Sequence, residues 1–360
     1  MHLYFTVTNN LIYDQRMTRI CNSLANVGYR VTLIGRQGKN PQPLPPESFN
    51  RVRLWCPIHK GFLFYCLFNI QLFFYLLFKK LDGICAIDLD TIIPCLLVSK
   101  IRGKPRIYDA HELFCEMKEI SSRPHIYSFW KWIERNTVRH FKYGYTVNKP
   151  IALAFNKMYA LEYAVIRNTP IYTGRLEAVK GKYILYQGAV NEGRSFETLI
   201  PAMQWVDIPL WICGDGNFMN QARALVEKHG LGQKVILKGM INPNELKFIT
   251  AGAILGFTLF EPDAKSNYYS LANRFFDYLH AGIPQICSNF PVYREINEQY
   301  QVACLVDDLS PQNLAKEINR LLNDEALRTE MHVSCLKAAQ VFNWQEEEKN
   351  LIHFYKQIFG

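Results

Sequence analysis

The stretch from Gly252 to Asn289 constrains the chain most, because it reads as a strand, a polar loop, a helix, a tight turn and a second strand. The apolar run Ala253 to Phe260 has the length and polar bounds of a buried strand, and Leu271, Phe275, Phe276 and Leu279 recur at helical spacing. The loop Phe260-Glu261-Pro262-Asp263 then lies at a strand's carboxyl end and leads to a helix's amino end. In an open parallel sheet that is where ligands bind, since unpaired N–H groups and the positive helix dipole attract anions. Asn273 and Arg274 fall in the helix's first turns, where a guanidinium can grip phosphate oxygens in two places, and Asp277 follows one turn later on nearly the same face. A cation followed by a carboxylate suits a nucleotide, phosphates first and ribose hydroxyls next.

The run Asn267-Tyr268-Tyr269-Ser270-Leu271-Ala272-Asn273-Arg274-Phe275-Phe276-Asp277-Tyr278, closed by Gly282 and Pro284, resembles the signature of retaining glycosyltransferases of the GT-B fold, glycosyltransferase family 4 in particular. Members carry a Glu-x7-Glu pattern ending in a helix, a Gly and a Pro. Asp277 matches the second glutamate, which in the family holds the nucleotide ribose, while Tyr269 stands where the first would be. The fold implied is α/β: two Rossmann-like β/α/β domains facing across a cleft, with a C-terminal helix crossing back to the first. The expected bounds are an acceptor-binding domain over 1–168, a nucleotide-sugar-binding domain over 169–342 and the returning helix over 343–360.

Length agrees, since 360 residues exceed one ordinary core and suit two. The ten cysteines form no C-x-x-C pair and no zinc spacing with histidine, which fits free thiols in a reducing compartment. The amino terminus runs straight into a strand without the pattern of a signal peptide, so a cytoplasmic protein is expected, peripheral on the inner face of the membrane. The net charge of +9 is uneven: residues 1–172 hold 23 Lys+Arg against 11 Asp+Glu (+12), residues 173–360 hold 18 against 21 (−3). A basic first half fits nucleic acid, an anionic membrane or an anionic small substrate, and charge alone does not choose. No nucleic acid is expected among the partners.

In chain order, residues 2–8, 14–27 and 29–35 read as β-α-β, with no G-x-G-x-x-G after the first strand. The polar turn before Asp14 and Arg16, with Asn10, either lines a cleft on the acceptor side or is only a turn. After a Pro-rich loop from Pro41 to Pro46, Gly61 to Phe78 is apolar except for Gly61, Asn69 and Gln71, and is flanked by Lys60, Lys79 and Lys80. That is short for a membrane span yet apolar around more of its circumference than a sheet-packed helix needs. Its outer face then meets a membrane or partner, or the domain encloses it. Residues 127–142 predict an amphipathic helix with a cationic stripe of Lys131, Arg135, Arg139 and Lys142, a second segment for an anionic membrane surface or else a solvated face. Asp88-Leu89-Asp90 is a D-x-D, read here as a turn and helix cap, with Asp90 capping the helix from Thr91, rather than as a metal site.

Asp109-Ala110-His111-Glu112 resembles the family's His-containing turn, which faces the donor sugar. The resemblance makes His111 a catalytic candidate, with Glu112 beside it on the acceptor side. Tyr186-Gln187-Gly188-Ala189-Val190-Asn191-Glu192-Gly193-Arg194 opens the second domain, and Ala189 replaces the first of the family's two diphosphate cations, leaving Arg194 as the second. Arg194 can neutralise the leaving diphosphate together with Arg274. Gly188 and the Gly214-Asp215-Gly216 turn let backbone approach the donor, and Glu261, Tyr269 and Asn273 lie near it. Trp344 reads as packing.

The implied activity is a metal-independent, cofactor-free transferase of the hexosyltransferase type, moving a sugar from a nucleotide diphosphate sugar to a glycan or lipid-linked acceptor with retention, as in polysaccharide biosynthesis. The alternatives are a nucleotide-sugar epimerase of the same fold and a non-catalytic membrane-associated binding protein.

Overall fold

A computed structural model describes residues 1–12, 14–38, 43–58, 61–174, 178–179, 181–263 and 265–360. Of the features named above, Pro41 and Lys60 lie outside them. The chain divides into two units, Met1–Asn168 with Glu346–Gly360, and Thr169–Gln345.

Unit 1 is a seven-stranded parallel sheet: β1 (His2–Thr6), β2 (Arg30–Arg36), β3 (Asn50–Leu54), β4 (Gly83–Ile87), β5 (Arg106–Ala110), β6 (Tyr143–Thr146) and β7 (Ala164–Val165), in the order β3-β2-β1-β4-β5-β6-β7. Chain order reverses between β1 and β4, so the loops after these strands open at a switch point. Helix α1 (Gln15–Asn26) is capped by Asp14, whose side chain accepts from Met17 N, and buries Met17, Ile20, Cys21 and Leu24. Helices α2 (Phe62–Leu77) and α3 (Ile92–Arg102) lie side by side. The helix Trp344–Phe359 closes this sheet: Tyr355 packs against Phe5 and Tyr29, Phe359 against Tyr29, and Glu347 holds Arg167 at 3.0 Å.

Unit 2 is a six-stranded parallel sheet: β8 (Ile184–Gln187), β9 (Leu210–Cys213), β10 (Val235–Gly239), β11 (Gly256–Thr258), β12 (Gln285–Ser288) and β13 (Ala303–Val306), in the order β10-β9-β8-β11-β12-β13. Its switch point falls between β8 and β11. The apolar run Ala253 to Phe260 supplies only three residues of ladder. The ring of Tyr278 lies against Gly256, where an added Cβ would meet it at 2.7 Å, and the Tyr278 hydroxyl donates to Leu185 O. The expected helix is Asn273–Ala281, ended by Gly282 at φ 68°, a conformation glycine adopts without strain. A short helical turn, Lys265–Tyr268, precedes it and was not anticipated.

No cysteine pairs with another, and all ten are free. No helix among the described residues is long and apolar enough to cross a membrane.

Candidate active site

At the carboxyl ends of β8 and β11 the structure brings Arg194, Arg274 and Asp277 together. Phe260, just past β11, is the hub: the Arg194 guanidinium lies 4.3 Å and that of Arg274 4.7 Å from its ring centre. Arg274 also lies 4.7 Å from the Tyr186 ring, so its guanidinium is held by two aromatic faces. Only 7% of Arg274 is exposed; among the described residues its one polar contact is a long 3.5 Å bond from Nη2 to Leu259 O, and Nε has no partner there. No carboxylate among the described residues pairs with it. A buried cation without a counter-ion is costly, and an incoming anion relieves that cost.

Arg194 donates from Nη1 to Asn267 Oδ1 at 2.9 Å, and Glu261 N donates to Gly193 O at 3.1 Å, which ties the two loops into one wall. Asp277 accepts from Gln187 Nε2 at 2.9 Å, and Gln187 is itself anchored by the Thr250 hydroxyl. No side chain caps the helix that carries Asn273, which is exposed, and Arg274. Tyr269 packs edge-on to Tyr268 at 5.2 Å.

The glycines act by close approach. Gly188, at φ 115°, has Arg274 Nη1 3.4 Å from where a Cβ would sit. A Cβ at Gly214, φ 152°, would stand 1.8 Å from Gly188 O, and one at Gly216 would meet Val190 O at 2.3 Å. Gly214 and Gly216 are therefore required by the packing of the loops after β8 and β9 on one another. Gln187, Tyr186, Phe260 and Asn267 also line the site. Three of them sit in apolar strand patterns that read as core, and the signal for Asn267 was its place in the quoted run.

In unit 1, His111 follows β5 and its Nδ1 lies 2.8 Å from Asp88 Oδ2. Burial opposes the imidazolium, but the Asp88 carboxylate outweighs it, with a further contribution from Glu112, and raises His111 to about 10. Asp88 is nine-tenths buried with φ 53°. Candidate ligand atoms of Asp88, His111 and Glu112 lie within 4.8 Å of one another, a spacing that could hold a cation. The Asp88–His111 contact engages Oδ2 and Nδ1, while Asp88 Oδ1 has no hydrogen-bond partner among the described residues.

Two expectations need correction here. Asp90 does not cap the helix after Thr91, which has no side-chain cap; its carboxylate instead accepts from the Thr8 hydroxyl, and burial and Asp88 raise it to about 7. Arg16 is not displayed beside the β1 turn: it is 6% exposed and pairs with the fully buried Asp109 at 2.7 Å. Asn10 accepts from Ile12 N at 3.3 Å within its own turn.

Residues 173–340 match the family model described as Glycosyl transferases group 1. No curated protein matches the sequence. Among solved structures the chain is similar to sucrose-phosphate synthase from Thermosynechococcus elongatus, at 17% identity and a TM-score of 0.78 over 100% of this chain and 99% of that one. It is similar also to HepE of Anabaena in complex with UDP-glucose, at 13% identity and a TM-score of 0.75 over 99% and 100%. A glycosyltransferase from Rickettsia africae matches at 12% identity and a TM-score of 0.73 over 99% and 98%. These solved structures share their fold, GT-B, with this chain. The match to the group 1 model falls within unit 2.

Proposed function

We propose that the protein transfers a hexosyl group from a nucleoside diphosphate sugar to a glycan or lipid-linked acceptor, with retention at the anomeric carbon and without a metal. The observation that carries the reading is Arg274, a buried guanidinium between two aromatic rings, without a counter-ion among the described residues, at the switch point of a parallel sheet. The donor's diphosphate supplies the missing charge, shared with Arg194, and Asp277 takes the ribose hydroxyls. That the HepE structure, similar in fold, is a complex with UDP-glucose supports a nucleoside diphosphate sugar as the donor.

In the reaction, the anomeric C–O bond to the diphosphate breaks as the bond to the acceptor oxygen forms on the same face. The acceptor's proton passes to the leaving phosphate, so no enzymic nucleophile is needed. Arg194 and Arg274 neutralise the charge that develops there. His111, held protonated by Asp88, can donate from its other ring nitrogen to a sugar hydroxyl, with Glu112 on the acceptor side.

Screening nucleoside diphosphate sugars by calorimetry identifies the donor, and the anomeric configuration of the product tests retention. Arg194→Ala and Asp277→Ala are each expected to weaken donor binding about tenfold or more; unchanged affinity in both refutes the reading. Chelation with EDTA is expected to leave turnover intact. Conversion of the donor sugar without any acceptor would favour the epimerase instead.

A further inference from the structure

Helix α2 turns Phe64, Phe68, Leu72 and Leu76 into unit 1, and its opposite face shows Phe62, Leu63, Ile70, Phe74 and Phe78 to solvent, Phe78 at 79% exposure. No charged residue occurs between Phe62 and Phe78. The amide of Asn69 is engaged by Tyr65 O and Asp90 O, so it does not wet that face. Helix α3 continues the patch with Leu97 and Ile101, spaced one turn apart and exposed by 46% and 61%. Arg102 Nη1 donates to Leu77 O at 3.2 Å, which fixes the carboxyl ends of the two helices together. A helix face made for water carries polar residues; this one carries rings and branched chains over two helices.

The helix Pro124–Thr137 contributes differently from expectation. Lys131 turns inward to Glu134 at 2.7 Å and Glu116 at 3.6 Å, so the cationic stripe anticipated over 127–142 loses its first member. Phe129, however, meets Phe62 edge-on at 5.4 Å and extends the apolar rim.

Cations gather instead where α2 and α3 end: Lys79, Lys80, Lys100 and Arg102. Beside them a cavity of about 450 Å³ opens at the amino ends of β1, β2 and β3, lined by Arg30, Arg51, Lys79, Lys80, His2 and Tyr75 among others, with no carboxylate among the described residues of its wall. Lys79 Nζ sits 4.6 Å from the Tyr75 ring. The nearby Asp82 is occupied by His2 N at 2.8 Å and Lys104 at 3.5 Å. Burial, with Arg30's charge next, lowers His2 against the pull of Asp82, which agrees with a positive local field.

We propose that this face of unit 1 docks on an anionic phospholipid surface, with the outer residues of α2 and α3 at the headgroup–acyl boundary and a lipid phosphate in the Arg30/Arg51/Lys79/Lys80 cavity. Apolar area and cations lie side by side, the order in which a bilayer surface presents acyl chains and phosphates. The α2 helix is about 24 Å long, so it lies along the surface rather than through it.

Co-sedimentation with phosphatidylcholine vesicles, with and without phosphatidylglycerol, tests the assignment. Binding is expected only with phosphatidylglycerol, falling with salt, and soluble glycerol phosphate is expected not to release it. Phe74→Asp with Leu97→Asp is expected to abolish vesicle binding, and Lys79→Glu with Lys80→Glu to weaken it more than about tenfold, both with UDP affinity unchanged. The lysine pair is exposed enough to keep the test open if the first variant fails to fold. Equal binding to neutral and anionic vesicles, or none to either, overturns the proposal. So does a dimer in sedimentation equilibrium that Phe74→Asp dissociates, which would assign the face to a second copy of the chain.

Discussion

Replacing Arg274 by Met separates a binding role from a structural one. Methionine fills most of the volume between Tyr186 and Phe260 and removes a cation that is 7% exposed and has no carboxylate partner among the described residues. Exchanging an uncompensated buried charge for an apolar side chain of similar size is neutral or stabilising, here by about 1 kcal/mol in the unliganded protein. Binding moves the other way. A guanidinium making two charge-assisted bonds to a diphosphate contributes about 3 kcal/mol, so UDP affinity is expected to fall about 150-fold. Calorimetry reads the affinity, and thermal melting with and without UDP reads both effects together. Ligand at about 100 times its Kd stabilises the native protein by about 2.7 kcal/mol, and the same concentration is expected to do little for Arg274→Met. UDP affinity within about threefold of the parent refutes the reasoning. A lowered melting temperature of the unliganded variant does so too, because Arg274 would then be packing.

Gly214→Ala puts a Cβ 1.8 Å from Gly188 O and is expected to lower the melting temperature of unit 2 sharply; Gly230→Ala, with nothing within 4 Å, costs only the strain of its φ, about 1 kcal/mol. His111 is expected to stay charged well above its ordinary 6.5, and Asp88→Asn to bring its NMR titration back down toward that value. The sign follows from a raised base: its contribution to unit 1 stability is complete below 6.5 and disappears as pH climbs through about 10. Asp109→Asn strands the Arg16 guanidinium in the core and is expected to cost about 3 kcal/mol or more in chemical denaturation, whereas Arg16→Met with Asp109→Leu recovers most of that loss.

The sequence disclosed those parts whose signal is local. The strand–loop–helix around Arg274 was visible because period, loop polarity and the closing Gly282 agree within one segment. What it did not disclose arises from contacts between segments far apart. Gln187 and Tyr186 look like strand core until β8 is laid beside β11 and the helix Asn273–Ala281. Lys131 sits at the right angle for a surface stripe, yet Glu116 and Glu134 draw it inward. Arg16 reads as a polar turn residue and becomes buried through Asp109 on another strand. Leu97 and Ile101 are ordinary core letters in α3, and only their orientation away from the sheet makes them a surface.

The helix Trp344–Phe359 has a consequence for biogenesis. Its residues from Glu346 onward belong to unit 1, where Tyr355 is fully buried and Phe359 lies over Gly83, yet they are translated after all of unit 2. The first-made sheet must therefore wait on the ribosome with one side uncovered while the second sheet emerges and folds. A premature stop codon near Leu351 would thus injure the earliest-synthesised half and leave the later half sound.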